Sequence, residues 1–174
     1  DHLLDSKNIG IKKPFELVIL QGGSGEVLTE KSRKIFNINA QKMIAKINAN
    51  GGEALLYMIH PYVKPHAEYD PKMIEKVRYT YIKAANDFNA IVAPIGIAFM
   101  NAYKERPNMK LHKSFDGSHP DMLGTYLSAC VLYATIFQKP SSEVQYNYYG
   151  EVSEEDQKFL QKIADQTVQD FFQR

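Results

Sequence analysis

A single cysteine, Cys130, in 174 residues leaves no partner for an internal disulfide and excludes zinc sites built from several thiolates. It lies in the apolar run LSACVLYATIF, with no nearby charge to lower its pKa, and is expected to be a small buried hydrophobe. An excess of one charge is also missing. The chain has 21 basic and 20 acidic residues, a formal net charge of +1, and no Lys/Arg cluster interleaved with aromatics. This balance removes the electrostatic case for nucleic acid or an anionic membrane surface as partner. The longest apolar runs fall far short of the roughly 20 residues needed to span a bilayer. No internal repeat, low-complexity tract or signal peptide is visible. The first residue is Asp1, not methionine, so further sequence is expected upstream.

What is present suits one domain with a proper core, spanning 1–174, in which 139–174 forms a connector and a terminal helix. Hydrophobic residues are 44% and charged residues 24%. Three short apolar runs read as buried strands: FELVILQ (15–21), EALLYMI (53–59) and AIVAPIG (90–96). Helices are expected between and after them. The first starts from an N-cap at Thr29, carries Ile35, Ile38, Met43, Ile44 and Ile47 at helical spacing, and stops at NGG (50–52). The second starts at Asp70-Pro71 and runs to about Phe88, with Ile74, Val77, Tyr81, Ile82 and Ala85 on one stripe. IAFMNAYKE is a short third. Pro120 opens a fourth that ends near Gln138. Ser153 and Asp156 cap the last, which carries Phe159, Leu160, Ile163, Val168, Phe171 and Phe172. Apolar strands alternating with helices predict a parallel sheet covered on both faces, an α/β fold of three layers, α/β/α, in the flavodoxin-like manner. Three strands are few for such a sheet, so one or more N-terminal strands are expected to be missing from this chain.

In open α/β sheets ligands bind outside the C-terminal ends of the strands. The segment FDGSHPDMLGTYL carries the most suggestive chemistry for that edge. Asp116 and His119 lie three residues apart, and Gly117 between them permits a tight turn. Histidine can take and return a proton near neutral pH, and a carboxylate on its far ring nitrogen fixes the tautomer. The same residues would also serve as a plain helix entry, with Asp116 starting an Asx turn.

The segment FDGSHPDMLGTYLSACVLYATIF resembles the last conserved block of the SGNH (GDSL-like) hydrolases, Asp-x-x-His-Pro followed by a small residue and an apolar helix. It is especially close to a bacterial branch of carbohydrate esterases. FELVILQGGSGE resembles the third block of that branch, and the layout between the two also fits. The resemblance covers residues 15–141. It implies hydrolysis of small acyl esters, with acetylated carbohydrate as one substrate class, through a catalytic triad. In that triad serine attacks the carbonyl, His119 is general base and then general acid, and Asp116 holds His119. No cofactor and no metal are implied. The branch is often exported, which implies a periplasmic or secreted location. The family's serine lies in a Gly-Asp-Ser or Gly-Asn-Ser turn after its first strand. No such turn exists here, so the serine is expected upstream of Asp1.

Two internal serines, Ser118 and Ser24, are the substitutes within this chain. Ser118 sits inside the Asp-x-x-His turn, where neighbours rarely address one another. Ser24, in GGSGE, lacks the second glycine of a Gly-x-Ser-x-Gly elbow, because Glu26 stands there. That turn falls where the family's third block supplies oxyanion and substrate contacts through an asparagine. Here no asparagine is present, and Gln21, Ser24 or the N–H groups of Gly22 and Gly23 are the replacement donors. His60 ends the second strand at the expected active edge and is expected to touch substrate. His60, His66, Glu68 and Asp70 crowd one loop, but their spacing does not converge on a metal. His2 and His112 are expected at the surface. Tyr146, Tyr148 and Tyr149 either pack the connector against the body or stack on sugars. The alternative to an esterase is a non-catalytic binding module on a degenerate hydrolase scaffold. The sequence does not set the oligomeric state.

Overall fold

The computed structural model describes residues 15–173, so His2 lies outside the described residues. Three parallel strands form one sheet in the order β1-β2-β3: β1 is Leu17–Gln21, β2 Glu53–Tyr57 and β3 Ile91–Ala93. Leu17 pairs with Glu53 and Gln21 with Tyr57, and Leu55 pairs with Ile91 and Tyr57 with Ala93. Five α-helices follow the expected order: α1 (Glu30–Ala49), α2 (Met73–Phe88), α3 (Ile95–Glu105), α4 (Met122–Phe137) and α5 (Glu154–Phe172).

Side chains alternate across a strand, and β2 uses this to join two cores. Ala54 and Leu56 enter a cluster with Ile44 and Ile47 of α1 and Val77 and Tyr81 of α2. Leu55 enters the opposite cluster, with Phe99 of α3, Leu127 and Val131 of α4, and Leu160 and Ile163 of α5. The sheet is therefore covered on both faces, the three-layer arrangement expected. Leu55, Phe99, Leu127 and Leu160 are fully buried, and each such side chain contributes about 1.5–3 kcal/mol of burial free energy.

The elements differ from expectation mainly at their ends. β3 stops at Ala93, not Gly96. Pro94 has no N–H for a ladder, and its carbonyl accepts from Ile97 and Ala98 to start α3. β2 stops at Tyr57, after which Met58 is held by the Ala93 carbonyl. α2 starts at Met73 rather than Pro71. Asp70 still organises the entry, its carboxylate accepting from the Lys72 N–H at 2.9 Å and its carbonyl from the Met73 N–H. α4 starts at Met122, because Asp121, not His119 or Pro120, caps it. Thr29 caps α1 through a 3.0 Å bond from the Ser32 N–H, and Ser153 caps α5 through a 3.1 Å bond from the Asp156 N–H, both as expected.

One apolar stripe is corrected. Phe36, Ala40, Ile44 and Ile47 form the buried face of α1, whereas Ile35, Ile38 and Met43 are 48%, 51% and 49% exposed. Helical spacing fits several stripes when isoleucine is spread round the helix, and only packing selects one. Ile19 of β1 is likewise 44% exposed, because no helix of the α4/α5 layer covers that end of the sheet. Among the described residues no helix is long and apolar enough to cross a membrane.

Candidate active site

The C-terminal ends of the three strands open into the 22–28 segment, the 58–72 loop and the start of α3. The loop before α4 is tied down onto the second of these. Residues 111–121 fold back on themselves, with His112 opposite Pro120 in an antiparallel bridge. The Lys113 N–H donates to the His119 carbonyl at 2.8 Å and the Asp121 N–H to the Leu111 carbonyl at 2.8 Å. The tip then docks on the 58–72 loop, where the Val63 N–H donates to the Gly117 carbonyl at 2.9 Å. Gly117 has φ +64°, and a Cβ there would lie 2.1 Å from the Val63 carbonyl oxygen. Glycine is therefore required twice at this point, for the left-handed backbone and for the close approach.

This turn brings Asp116 and His119 together. His119 Nδ1 is 2.7 Å from Asp116 Oδ2. Asp116 Oδ1 accepts from the N–H groups of Ser118 at 2.8 Å and His119 at 3.0 Å. The Ser118 N–H above all, then the His119 side chain and N–H, hold the Asp116 carboxyl down at about 2, so it is ionised at neutral pH. An ionised acceptor fixes the proton of a neutral His119 on Nδ1 and leaves Nε2 as the basic nitrogen. The His119 side chain is 77% exposed and that of Asp116 22%. The histidine is thus accessible and the aspartate screened, the asymmetry a general base and its orienting group need. Among the described residues no serine hydroxyl is hydrogen-bonded to His119. Ser118 contributes its backbone N–H to Asp116 and nothing else to the pair.

The 22–28 segment is a short 3-10 helix, Ser24–Val27, rather than an open glycine turn. Gln21 is exposed at the end of β1. The Gly23 N–H donates to Glu26 Oε2 at 3.1 Å, so one of the expected oxyanion donors is taken by a carboxylate. The Gly22 and Ile59 backbones lie against the Tyr81 hydroxyl, which is buried and in ordinary hydrogen-bond geometry with no group among the described residues. Ser24 Oγ accepts from the Tyr62 hydroxyl at 2.9 Å.

His60 stands at the active edge but inside it. It is 8% exposed and its ring stacks on Phe99 at 4.5 Å between centroids. Its Nδ1 is 2.9 Å from His112 Nε2, and His112 Nδ1 is 2.7 Å from the Tyr103 hydroxyl. His112, expected at the surface, is 5% exposed, because the bridge to Pro120 folds it inward. Burial pushes His60 down to about 3, with the His112 charge adding to it, and pushes His112 down to about 4. Both rings are neutral at pH 7, and the Tyr103-His112-His60 chain is a neutral hydrogen-bonded strut beneath the loop that carries Asp116 and His119. Nothing in the spacing of these residues signals the chain, since Tyr103, His112 and His60 come from three separate segments. His66 Nδ1 accepts from the Glu68 N–H, and Asp70 pairs with Lys76 at 2.8 Å. Among the described residues no three His, Cys, Asp or Glu side chains are grouped to hold a metal ion.

No family model matches the sequence, and no curated protein matches it. Solved structures do resemble the fold. A DUF4886 family protein from Bacteroides uniformis superposes with a TM-score of 0.76 at 18% identity, covering 88% of this chain and 62% of that one. A candidate SGNH hydrolase from Slackia heliotrinireducens superposes with a TM-score of 0.60 at 23% identity, covering 70% and 65%. A candidate GDSL-like lipase from Parabacteroides merdae gives 0.56 at 18% identity, covering 71% and 61%. The chain thus spans less than two thirds of the length of each. At these identities the likeness is one of architecture, and the architecture of this chain is that of the SGNH hydrolase-like fold.

Proposed function

We propose that the chain carries the histidine and aspartate of a serine esterase, and that the nucleophilic serine is supplied by sequence upstream of Asp1. The observation that carries this reading is the 2.7 Å contact between His119 Nδ1 and Asp116 Oδ2 at the C-terminal edge of a parallel sheet. In the reaction His119 Nε2 takes the serine proton as the hydroxyl attacks the ester carbonyl. It then returns that proton to the leaving alcohol. Asp116 holds the ring and stabilises the imidazolium. Water repeats the cycle on the acyl-enzyme and releases the acid. Small acyl esters, acetylated carbohydrate among them, are the substrate class. Oxyanion contacts come from the turn after β1, where Gln21 and Ser24 are the candidates, because the Gly22 N–H faces the buried Tyr81 hydroxyl and Gly23 takes part only if Glu26 releases its N–H. His60, being buried, acts by supporting the loop rather than by touching substrate.

The test compares this chain with the same chain extended upstream in its native reading frame, using p-nitrophenyl acetate. The extended protein is expected to hydrolyse the ester, and His119→Ala is expected to cost about 10²–10⁴ in rate. This chain alone is expected to be inactive. Hydrolysis that survives His119→Ala sinks the mechanism. Hydrolysis by this chain that disappears on Ser24→Ala would move the nucleophile to Ser24. An extended protein without activity would favour a binding module on the same scaffold.

A further inference from the structure

The residue after His119 opens a cavity that the pair itself does not use. It has a volume of about 530 Å³ and runs from Pro120 and Met122 along α4, past Ala129 and Tyr133, under a wall made by Tyr146 and Tyr148. That volume falls in the range of roughly 300–1,000 Å³ typical of ligand pockets.

Its chemistry is selective. The polar groups around it are mostly spent on protein partners. Lys113 Nζ pairs with Asp121 Oδ1 at 2.7 Å, the Tyr126 hydroxyl donates to the Tyr146 carbonyl at 3.1 Å, and the Ser141 hydroxyl donates to Asp165 at 2.7 Å. What remains is mostly methylene, thioether and aromatic surface, with the exposed Thr125 and the hydroxyls of Tyr133, Tyr146 and Tyr148 as its polar groups. A sugar ring, with hydroxyls all round it, would find fewer partners there than it carries hydroxyls, which is costly. A flat aromatic group would exchange water for tyrosine faces and edges, which is favourable.

The wall is held in place at a conformational cost. Tyr148 and Tyr149 both have left-handed backbones, φ 56° and 57°, and neither is glycine. Asn147 anchors them, its side chain accepting from the Gly150 N–H at 2.9 Å and its carbonyl from the N–H of the fully buried Val152 at 3.1 Å. Such strain persists where surrounding structure over-determines it, typically at sites with a task. Here it sets the Tyr148 ring against Tyr146, with centroids 6.4 Å apart.

We propose that this cavity is a binding site for an aromatic group, and, resting on the esterase reading above, that it seats an aryl moiety of the ester while His119 acts at the carbonyl. The test is an amide NMR titration of this chain with 3-phenylpropionamide, a neutral aryl acyl compound, and in parallel with methyl β-D-xylopyranoside. The aryl amide is expected to shift the amides of Ala129, Cys130, Tyr133 and Tyr148. Ala129→Trp, which fills the cavity from an exposed helix position, is expected to weaken it by about tenfold or more. Tyr148→Ser, which removes the wall, is expected to do the same should the tryptophan variant fail to fold. Aryl binding is expected to persist in His119→Ala, so failure of the catalytic reading and failure of this one are read separately. The proposal is overturned if the aryl amide leaves these amides unmoved, if its binding survives both cavity variants, or if the xyloside alone shifts them.

Discussion

Replacing Gly117 by alanine tests how the Asp116–His119 turn is held. Two costs are expected. A left-handed backbone costs an alanine about 1–2 kcal/mol. The new Cβ would also stand 2.1 Å from the Val63 carbonyl oxygen, well inside van der Waals contact. The loop can retreat only by stretching the 2.9 Å bond from the Val63 N–H to the Gly117 carbonyl, which is worth about 0.5–1.5 kcal/mol. Together these give about 1.5–3.5 kcal/mol. Gly51→Ala supplies the control. Gly51 also has a positive φ, +79°, but nothing lies within 4 Å of its would-be Cβ. It should show the backbone cost alone, about 1–2 kcal/mol. For a domain of this size each kcal/mol moves Tm by about 2–4 °C, so drops of about 8 °C and about 4 °C are expected in calorimetry. Only the first variant should also move the His119 ring resonances, because only it displaces the turn. Equal Tm losses for the two variants, or unchanged His119 resonances in Gly117→Ala, would refute the close-packing account.

His60 and His112 should stay neutral in the fold down to about pH 4, since burial holds them at about 3 and about 4, while in the unfolded chain they take protons near pH 6.5. Their contribution to stability is therefore complete above pH 6.5 and is lost as pH falls toward 4 and then 3. Ring-nitrogen NMR that finds either histidine charged at pH 5.5 would contradict this. Asp116, held at about 2, stabilises the fold above its unfolded value near 4, and the effect fades as pH falls from 4 to 2. Urea titrations should show the gap between the native protein and Asp116→Asn narrowing over that window, and a constant gap would count against the carboxylate's role. Tyr81→Phe should leave stability unchanged or raise it by up to about 1 kcal/mol, since it removes a buried hydroxyl that makes no ordinary hydrogen bond. A loss of 2 kcal/mol or more in urea would show that the hydroxyl has a partner.

The features legible from sequence are those set by local chemistry. Thr29 with Ser32 and Ser153 with Asp156 announce their caps because the donor and acceptor lie three residues apart. Asp116 and His119 meet for the same reason. The contacts that local sequence does not signal join segments distant in the chain. The His60–His112 bond spans 52 residues, and the Tyr62–Ser24 bond spans 38. In the sequence Glu26 only interrupts a glycine pattern, whereas in the fold its carboxylate organises the turn by accepting from Gly23. The α1 stripe differs from the spacing because four isoleucines and a methionine satisfy more than one helical face, and burial is decided by the sheet beneath.

The first strand carries a consequence for handling the protein. Among the described residues β1 is paired on one side only, and it presents Ile19 and Phe15, 44% and 41% exposed. A strand edge with apolar neighbours is a template for adding another strand. Concentration-dependent association of this chain is therefore expected to start there, edge to edge. Ile19→Lys should suppress it and leave the Asp116–His119 turn, which docks on the 58–72 loop, undisturbed.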